Sequence, residues 1–298
     1  MQTAPETANA IGVASMPWSA SVPSAPEAHR APPDPSLLSL NTATVKAQWT
    51  LAQAIEGCAR HGIRGIAPWR DKLAEMGLKE ALKAIKANGL TVTGLCRGGF
   101  FTSPNFLEDN LRAIEEAHEL GARCLVLVVG GLAEGSKDLL SARERVKEAI
   151  ARILPEAIKA KVPLAIEPLH PMQAAERACI NTLEQALDVC DFFQEGIGVA
   201  VDVYHVWWDP KLEQQIKRAG GKRILAYHIC DWLVPTRDLL NDRGMMGDGV
   251  IDLPRIRGWV EDAGYAGFHE VEIFSERDWW KRDPDEVLRT IMERFKQT

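Results

Sequence analysis

The sequence predicts an α/β protein: a single-domain (β/α)8 TIM barrel preceded by a flexible N-terminal arm. Three observations predict it. Short β-type runs alternate strictly with longer amphipathic stretches from residue 37 to the C-terminus, there are eight such runs, and the alternating region has about the length, ~250 residues, of a closed (β/α)8 unit. Strict alternation implies parallel strands joined by crossover helices. A doubly wound open sheet is the alternative, but no strand is followed by the GxGxxG turn that would recommend it.

Residues 1–36 are rich in Ala, Pro and Ser, as in Val22-Pro23-Ser24-Ala25-Pro26 and Ala31-Pro32-Pro33-Asp34-Pro35, and show no sustained periodicity. They read as the arm, and 37–298 as the barrel, since the composition never shifts enough to mark a second domain. The β-type runs are Leu37 to Asn41, Gly65 to Trp69, Thr91 to Arg97, Cys124 to Val129, Pro163 to Pro168, Gly198 to Val203, Ile224 to Cys230 and Glu270 to Phe274. Helical patterns lie between them. Leu183, Ala186, Leu187, Cys190 and Phe193, for example, recur at 3.6-residue spacing behind Thr182, with Gln185 completing a capping box.

A chain with 46% hydrophobic and 26% charged residues has the balance of a soluble globular protein. Its formal charge of −6 argues against a surface that must neutralise many phosphates, so no nucleic-acid partner is expected. No stretch approaches the ~18 consecutive apolar residues of a spanning helix, and no basic segment leads into an apolar run at the start. Cys58, Cys96, Cys124, Cys179, Cys190 and Cys230 lack CxxC spacing and mostly sit in apolar runs, as reduced core residues would. A cytoplasmic protein without a membrane partner is the expectation.

In this architecture functional residues lie at the C-terminal ends of strands. Four consecutive runs carry polar residues there: Ala165-Ile166-Glu167-Pro168-Leu169-His170, Val201-Asp202-Val203-Tyr204-His205, Ala226-Tyr227-His228-Ile229-Cys230-Asp231 and Glu270-Val271-Glu272-Ile273-Phe274. A single such residue is more often a cap or a satisfied polar group, because the barrel rim is rich in loops. Four on adjacent strands are different: three converging carboxylates repel one another without a cation, and buried charges are costly unless paired or metal-bound. Glu167, Asp202, His228 and Glu272 are therefore candidate ligands of one divalent metal ion. Oxygen-rich ligation with a single imidazole suits Mn, Mg or Co, with Zn admitted. Glu270 and Glu272 point to the same face; Glu272 lies nearer the mouth and is the preferred ligand, leaving Glu270 as a buried structural partner.

At these residues the sequence resembles the sugar phosphate isomerase/epimerase branch of the xylose-isomerase-like TIM barrel superfamily. The resemblance spans about residues 37 to 298. It rests on Ile166-Glu167-Pro168, Asp202-x-x-His205, His228-x-x-Asp231, the turn Gly247-Asp248-Gly249-Val250-Ile251-Asp252 and Val271-Glu272-Ile273-Phe274. It implies that Glu167, Asp202, His228 and Glu272 bind the metal, that Glu167 and Glu272 double as acid/base groups, and that His205 contacts a substrate oxygen. Relatives of this kind also carry an arginine a few residues after the metal-binding histidine; the nearest here is Arg237, after a longer gap. Arg97, His170 and Asp231, at strand ends, are further candidates for substrate hydroxyls or for orienting a ligand. The implied activity is isomerisation or epimerisation of a small-molecule sugar or keto-sugar by proton abstraction next to a carbonyl through an enediolate, in a homo-oligomer.

Loss of a leaving group from the same enediolate gives a lyase or dehydratase of a keto-sugar or inositol derivative as the alternative. A non-catalytic sugar-binding subunit is a rival that retention of both glutamates argues against. The superfamily's three-zinc apurinic endonuclease needs further histidines from early strands, where Pro68-Trp69 and Cys96-Arg97 stand instead. No Gly-rich phosphate-gripping motif stands out, which favours a non-phosphorylated or keto sugar. Trp69, Phe100, Phe101, Trp207, Trp208, Trp232, Trp279 and Trp280 follow predicted strands and either stack on sugar faces or pack loops. The segment 242–249, rich in glycine, is a candidate lid.

Overall fold

The computed structural model describes residues 30–298. Of the arm expected over 1–36, residues 1–29 lie outside the described residues, and Pro35–Leu37 form a short 3-10 turn capped by Asp34. From there the chain forms β1 (Leu38–Asn41), α1 (Leu51–His61), β2 (Gly65–Ala67), α2 (Arg70–Met76), α3 (Leu78–Ala87), β3 (Thr91–Val92), β4 (Leu95–Gly99), α4 (Phe106–Leu120), β5 (Leu125–Val128), α5 (Leu139–Ala160) and β6 (Leu164–Ile166). It continues with α6 (Leu183–Phe192), β7 (Ile197–Asp202), α7 (Val203–Val206), α8 (Leu212–Arg223), β8 (Ile224–Ile229), β9 (Asp231–Trp232), β10 (Arg243–Gly244), α9 (Leu253–Asp262), β11 (His269–Val271) and α10 (Pro284–Phe295).

The main sheet runs β3-β2-β1-β11-β8-β7-β6-β5-β4, with every pair parallel. Segments β3 and β4 are the two halves of the third expected run, interrupted at Thr93-Gly94, so nine segments make eight staves. The remaining seam between β2 and β4 is joined by one parallel bridge, Trp69 to Cys96, with the Cys96 N–H donating to Pro68 O at 3.1 Å. The result is a nearly closed parallel barrel with flanking helices, as the alternating pattern predicts.

Helix boundaries follow local chemistry. Thr50 and Gln53 cap α1 reciprocally, and Gly62 ends it in the left-handed conformation. Thr182 caps α6 by accepting from the Gln185 N–H, as its sequence predicts. The helices bury their apolar faces against the outside of the barrel, where Leu40, Ile55, Ile66, Leu125, Leu127 and Ile150 belong to one continuous core. Inside the barrel the packing is finer. Ala165, Ala200 and Ala226 form a cluster with Val126, Cys96 and Cys124. Each alanine lies two residues before Glu167, Asp202 or His228, so the period of the strand places it directly beneath a candidate ligand. Those small side chains leave room in that layer for the Glu270 carboxylate, two residues before Glu272.

All six cysteines are buried and unpaired. Among the described residues no helix is long and apolar enough to cross a membrane.

Candidate metal centre

Glu167, Asp202, His228 and Glu272 converge at the C-terminal mouth of the barrel. All four are buried, and one ligand atom from each lies within 4.8 Å of the others. Backbone pairing sets their positions. Asp202 ends β7 opposite His228 in β8. Glu167 and Glu272 sit just beyond β6 and β11, still donating their N–H groups to Leu127 O at 3.1 Å and Ile229 O at 3.2 Å.

The donor atoms fit a cation better than they fit one another. His228 Nδ1 lies 3.0 Å from Glu167 Oε1 and 3.8 Å from Glu272 Oε2, and Nε2 lies 3.3 Å from Glu270 Oε1. Yet neither ring nitrogen of His228 nor Glu167 Oε1 has a hydrogen-bond partner of acceptable geometry, although all are buried. Unsatisfied buried polar atoms are rare, and here His228 Nδ1 and Glu167 Oε1 face a common point that a small cation would fill. The protonation pattern agrees. Burial disfavours charge on His228, but Glu270, Glu167 and Glu272 outweigh it and hold its pKa well above the ordinary histidine range. Burial, with Glu167 and Asp202 assisting and Arg243 and His228 opposing, pushes Glu272 up to about 8. Burial would also raise Asp202, but Arg243, His205 and His228 keep it below the usual carboxylate range. Without an ion the cluster therefore holds protons that a divalent cation would displace.

Glu270 sits beneath this layer. Its carboxylate accepts from Asn41 Nδ2 and Thr93 Oγ1, each at 2.8 Å, while Asn41 Oδ1 accepts from Trp69 Nε1 at 2.8 Å. Those bonds fix it against His228 Nε2, so that Nδ1 faces Glu167 and Glu272. A carboxylate behind a histidine in this way orients the ring toward a metal.

The other expected site residues lie in different surroundings. His205, in the short α7 that follows β7, is buried; its Nδ1 accepts from the His170 N–H at 3.1 Å, and burial depresses its pKa to about 3. A neutral imidazole has one acceptor nitrogen, so Nε2 carries the proton and faces Asp202 Oδ2 at 3.7 Å. His170 packs its ring on Trp232 and Trp208. Asp231 is buried and bonded to its own loop: Oδ1 accepts from the Trp232 and Ile251 N–H groups at 2.9 and 3.0 Å, and Oδ2 from that of Gly247 at 2.9 Å. Arg237 is part-exposed and pairs with Asp242. Arg97 lies on β4 over the Phe100 ring.

Two residues not singled out in the sequence stand in the site. Arg243 is 3% exposed; Nη1 donates to Asp202 Oδ2 at 2.9 Å and Glu272 Oε2 at 3.1 Å, and Nη2 lies 3.1 Å from His205 Nε2. Arg177, from the turn between β6 and α6, lines the same opening. The segment 242–249, a candidate lid or plain loop, is packed here against its neighbours: β10 pairs antiparallel with β9, Met245 and Met246 are buried, Asp231 accepts from the Gly247 N–H, and Asp248 bonds Trp279 Nε1 and Arg294. Glycine is required at position 249, where a Cβ would come within 2.1 Å of Trp232 O.

Above the ligand layer lies a cavity lined by Trp69, Arg97, Glu167, Gln173, Arg177, His205, Arg243, Glu272 and Phe274, among others. It combines the exposed edge of the carboxylate cluster with aromatic walls. Lys46 lies 4.7 Å from the centroids of Phe274 and Trp280 and fixes one of those walls.

Comparison with known proteins places this geometry. An inosose isomerase of Bacillus velezensis is 24% identical over 274 residues, covering 86% of this chain and 94% of that protein. An L-ribulose-5-phosphate 3-epimerase of Escherichia coli O1:K1 is 24% identical over 208 residues, covering 65% and 69%. The crystal structure of a Sinorhizobium meliloti 1021 protein superposes with a TM-score of 0.87 at 59% identity, covering 89% of this chain and 98% of that one. A family model matches residues 55–298, most of the barrel, and on that match the chain belongs to the xylose isomerase-like TIM barrel family.

Proposed function

We propose that the protein is a divalent-metal-dependent isomerase or epimerase of small sugars, with Glu167, Asp202, His228 and Glu272 as ligands and Glu167 and Glu272 as the proton-transferring pair. The observation that carries this is the convergence of four buried donor atoms within 4.8 Å of one another at the floor of a cavity. Relatives named as an inosose isomerase and a ribulose-phosphate epimerase support the reaction class. Mn, Mg or Co suits the oxygen-rich set, and Zn is admitted.

The bound ion would supply Lewis-acid polarisation of a substrate carbonyl and its neighbouring hydroxyl. The chain supplies the rest. Glu167 and Glu272 come from staves separated by β7 and β8, so they reach a carbon held between them from two sides. One removes the acidified C–H proton to leave an enediolate, and the other returns a proton to the opposite face, inverting the centre. Delivery to the adjacent carbon gives aldose–ketose isomerisation. His205 Nε2–H and Arg243 Nη2 donate to a substrate oxygen and hold the carbon in register, while Trp69 and Phe274 exclude water.

The test is proton exchange in deuterated water with added Mn, across keto-sugars and inositol derivatives, followed at the carbon next to the carbonyl. Exchange dependent on the ion is expected with at least one compound. Glu167→Gln and Glu272→Gln should each lose about 10²–10⁴-fold in turnover; full activity in either variant would exclude its role. Product analysis in the same assay separates epimerisation and isomerisation from elimination.

A further inference from the structure

The cavity is lined by two arginines that form no ion pair among the described residues. Arg97 and Arg177 both line it, and both guanidinium groups lie over the Phe100 ring, with centroid distances of 3.8 and 5.9 Å. Among the described residues neither has a carboxylate within salt-bridge distance, and the Nε of each is buried without a hydrogen-bond partner. Neighbouring acids are engaged elsewhere: Asp109 pairs with Arg70 at 3.1 Å and Arg112 at 2.6 Å, and Glu116 pairs with Arg70 at 2.5 Å. Arg243 does not share the predicament, since Asp202 and Glu272 balance it.

Both arginines are held where they are by backbone. Phe100 adopts a left-handed φ of 47° after Gly99 at 96°, and its N–H donates to Val128 O at 2.6 Å. A phenylalanine in that region is strained and persists only where surrounding structure fixes it. Arg177 donates its N–H to Gln173 O at 3.0 Å, and its carbonyl accepts from the Gly130 N–H at 2.9 Å. Burial, and then the proximity of Arg177, lowers the Arg97 pKa to about 10. Two half-buried like charges over one ring, with no internal partner, are costly unless a ligand completes them. The planar fork of arginine matches a carboxylate or phosphate.

We infer that Arg97 and Arg177 form an oxyanion grip, so that the substrate carries a phosphate or carboxylate group at the end away from the carbon between Glu167 and Glu272. The identity of the reacting end rests on the function proposed above; the grip itself does not. It departs from the sequence-based preference for a non-phosphorylated or keto sugar where the anion is a phosphate, because side chains from a strand and a turn would hold that anion without a Gly-rich loop.

The test titrates inorganic phosphate and, separately, glycolate into the chelator-treated full-length chain by calorimetry, so that neither anion binds through a metal ion. Saturable binding of at least one anion is expected, weakened tenfold or more in both Arg97→Gln and Arg177→Gln; the tighter anion distinguishes phosphate from carboxylate. Both variants should melt at or above the wild-type temperature, since the cation removed has no partner. Arg97→Lys, which keeps the charge and loses the fork, should lie between wild type and Arg97→Gln. No saturation by either anion up to ~20 mM, or equal binding by wild type and both variants, overturns the inference.

With Mn present, kcat/KM for an anionic keto-sugar should fall tenfold or more through KM in each variant, and by a smaller factor for a neutral analogue. If anions bind and the variants lose them but no sugar exchanges, the isomerase reading falls and the grip stands. If neutral and anionic sugars exchange equally well and the variants treat them alike, the grip falls and the isomerase reading stands.

Discussion

Arg243→Met isolates the electrostatics of the cluster, because the arginine neutralises the same carboxylates that a metal ion would. Nη1 bonds Asp202 and Glu272 at 2.9 and 3.1 Å, and the guanidinium packs 4.5 and 5.1 Å from the centroids of Tyr204 and Phe274. Methionine keeps most of the stem packing and removes the charge. In the ion-free protein the buried Asp202 carboxylate then loses the cation bonded to it, and breaking a buried pair from one side costs about 3–5 kcal/mol. Glu272, held up to about 8 chiefly by burial even with Arg243 in place, already carries a proton at neutral pH and adds little, which sets the expected loss near the lower bound, about 3 kcal/mol. At about 2–4 °C per kcal/mol for a chain of this size, Tm should fall by about 6–12 °C in chelator. A divalent ion supplies the missing charge, so saturating Mn should restore most of the loss. By linkage the variant then binds Mn more tightly than wild type, tenfold for each ~1.4 kcal/mol restored. Calorimetric melts of both proteins, in chelator and in excess Mn, measure this. Equal losses under the two conditions would refute the reasoning.

Asp231→Asn should leave one of three backbone N–H groups facing an amide donor, at a cost of about 1–3 kcal/mol, with faster hydrogen exchange across 245–251 and Mn affinity unchanged. His269 is buried against Tyr227 and Phe295, and burial, with Arg257 assisting, depresses its pKa to about 4. The unfolded chain therefore binds the extra proton first: this group costs nothing above about pH 6.5, and stability falls by up to ~3 kcal/mol as pH drops toward 4. His269→Phe should flatten that part of the stability profile in urea titrations at pH 7 and pH 4.5; an unchanged difference between the two pH values would count against it.

The barrel and its charged mouth were legible because both depend on strand parity. Once Ala165-Ile166-Glu167 and Ala226-Tyr227-His228 are read as strands, alternation alone places each alanine under a polar residue, and parallel pairing brings four neighbouring ends together. The same logic separates Glu270 from Glu272 by one layer. Arg243 was not legible, because its position depends on an antiparallel pairing of two-residue strands, β9 and β10, that no periodicity announces. Distance along the chain from His228 points to Arg237, whereas the fold sets Arg243 against the carboxylates and Arg237 against Asp242. Arg177 lies in a turn with no regular pattern, and its importance comes from what it lacks, a counter-ion, which only the packed structure reveals. Interruption of the third stave at Thr93-Gly94 likewise left no mark in an otherwise strand-like run, and the Thr93 hydroxyl there bonds Glu270.

The most direct test of the account is the metal stoichiometry of the purified chain, measured by elemental analysis after dialysis against Mn and then against buffer, beside Asp202→Asn and His228→Gln. One divalent ion per wild-type chain is expected, removable by chelator, with retention falling well below one in both variants. A wild-type chain that retains no ion, or variants that retain it as fully as wild type, would contradict the claim that these side chains gather around a cation.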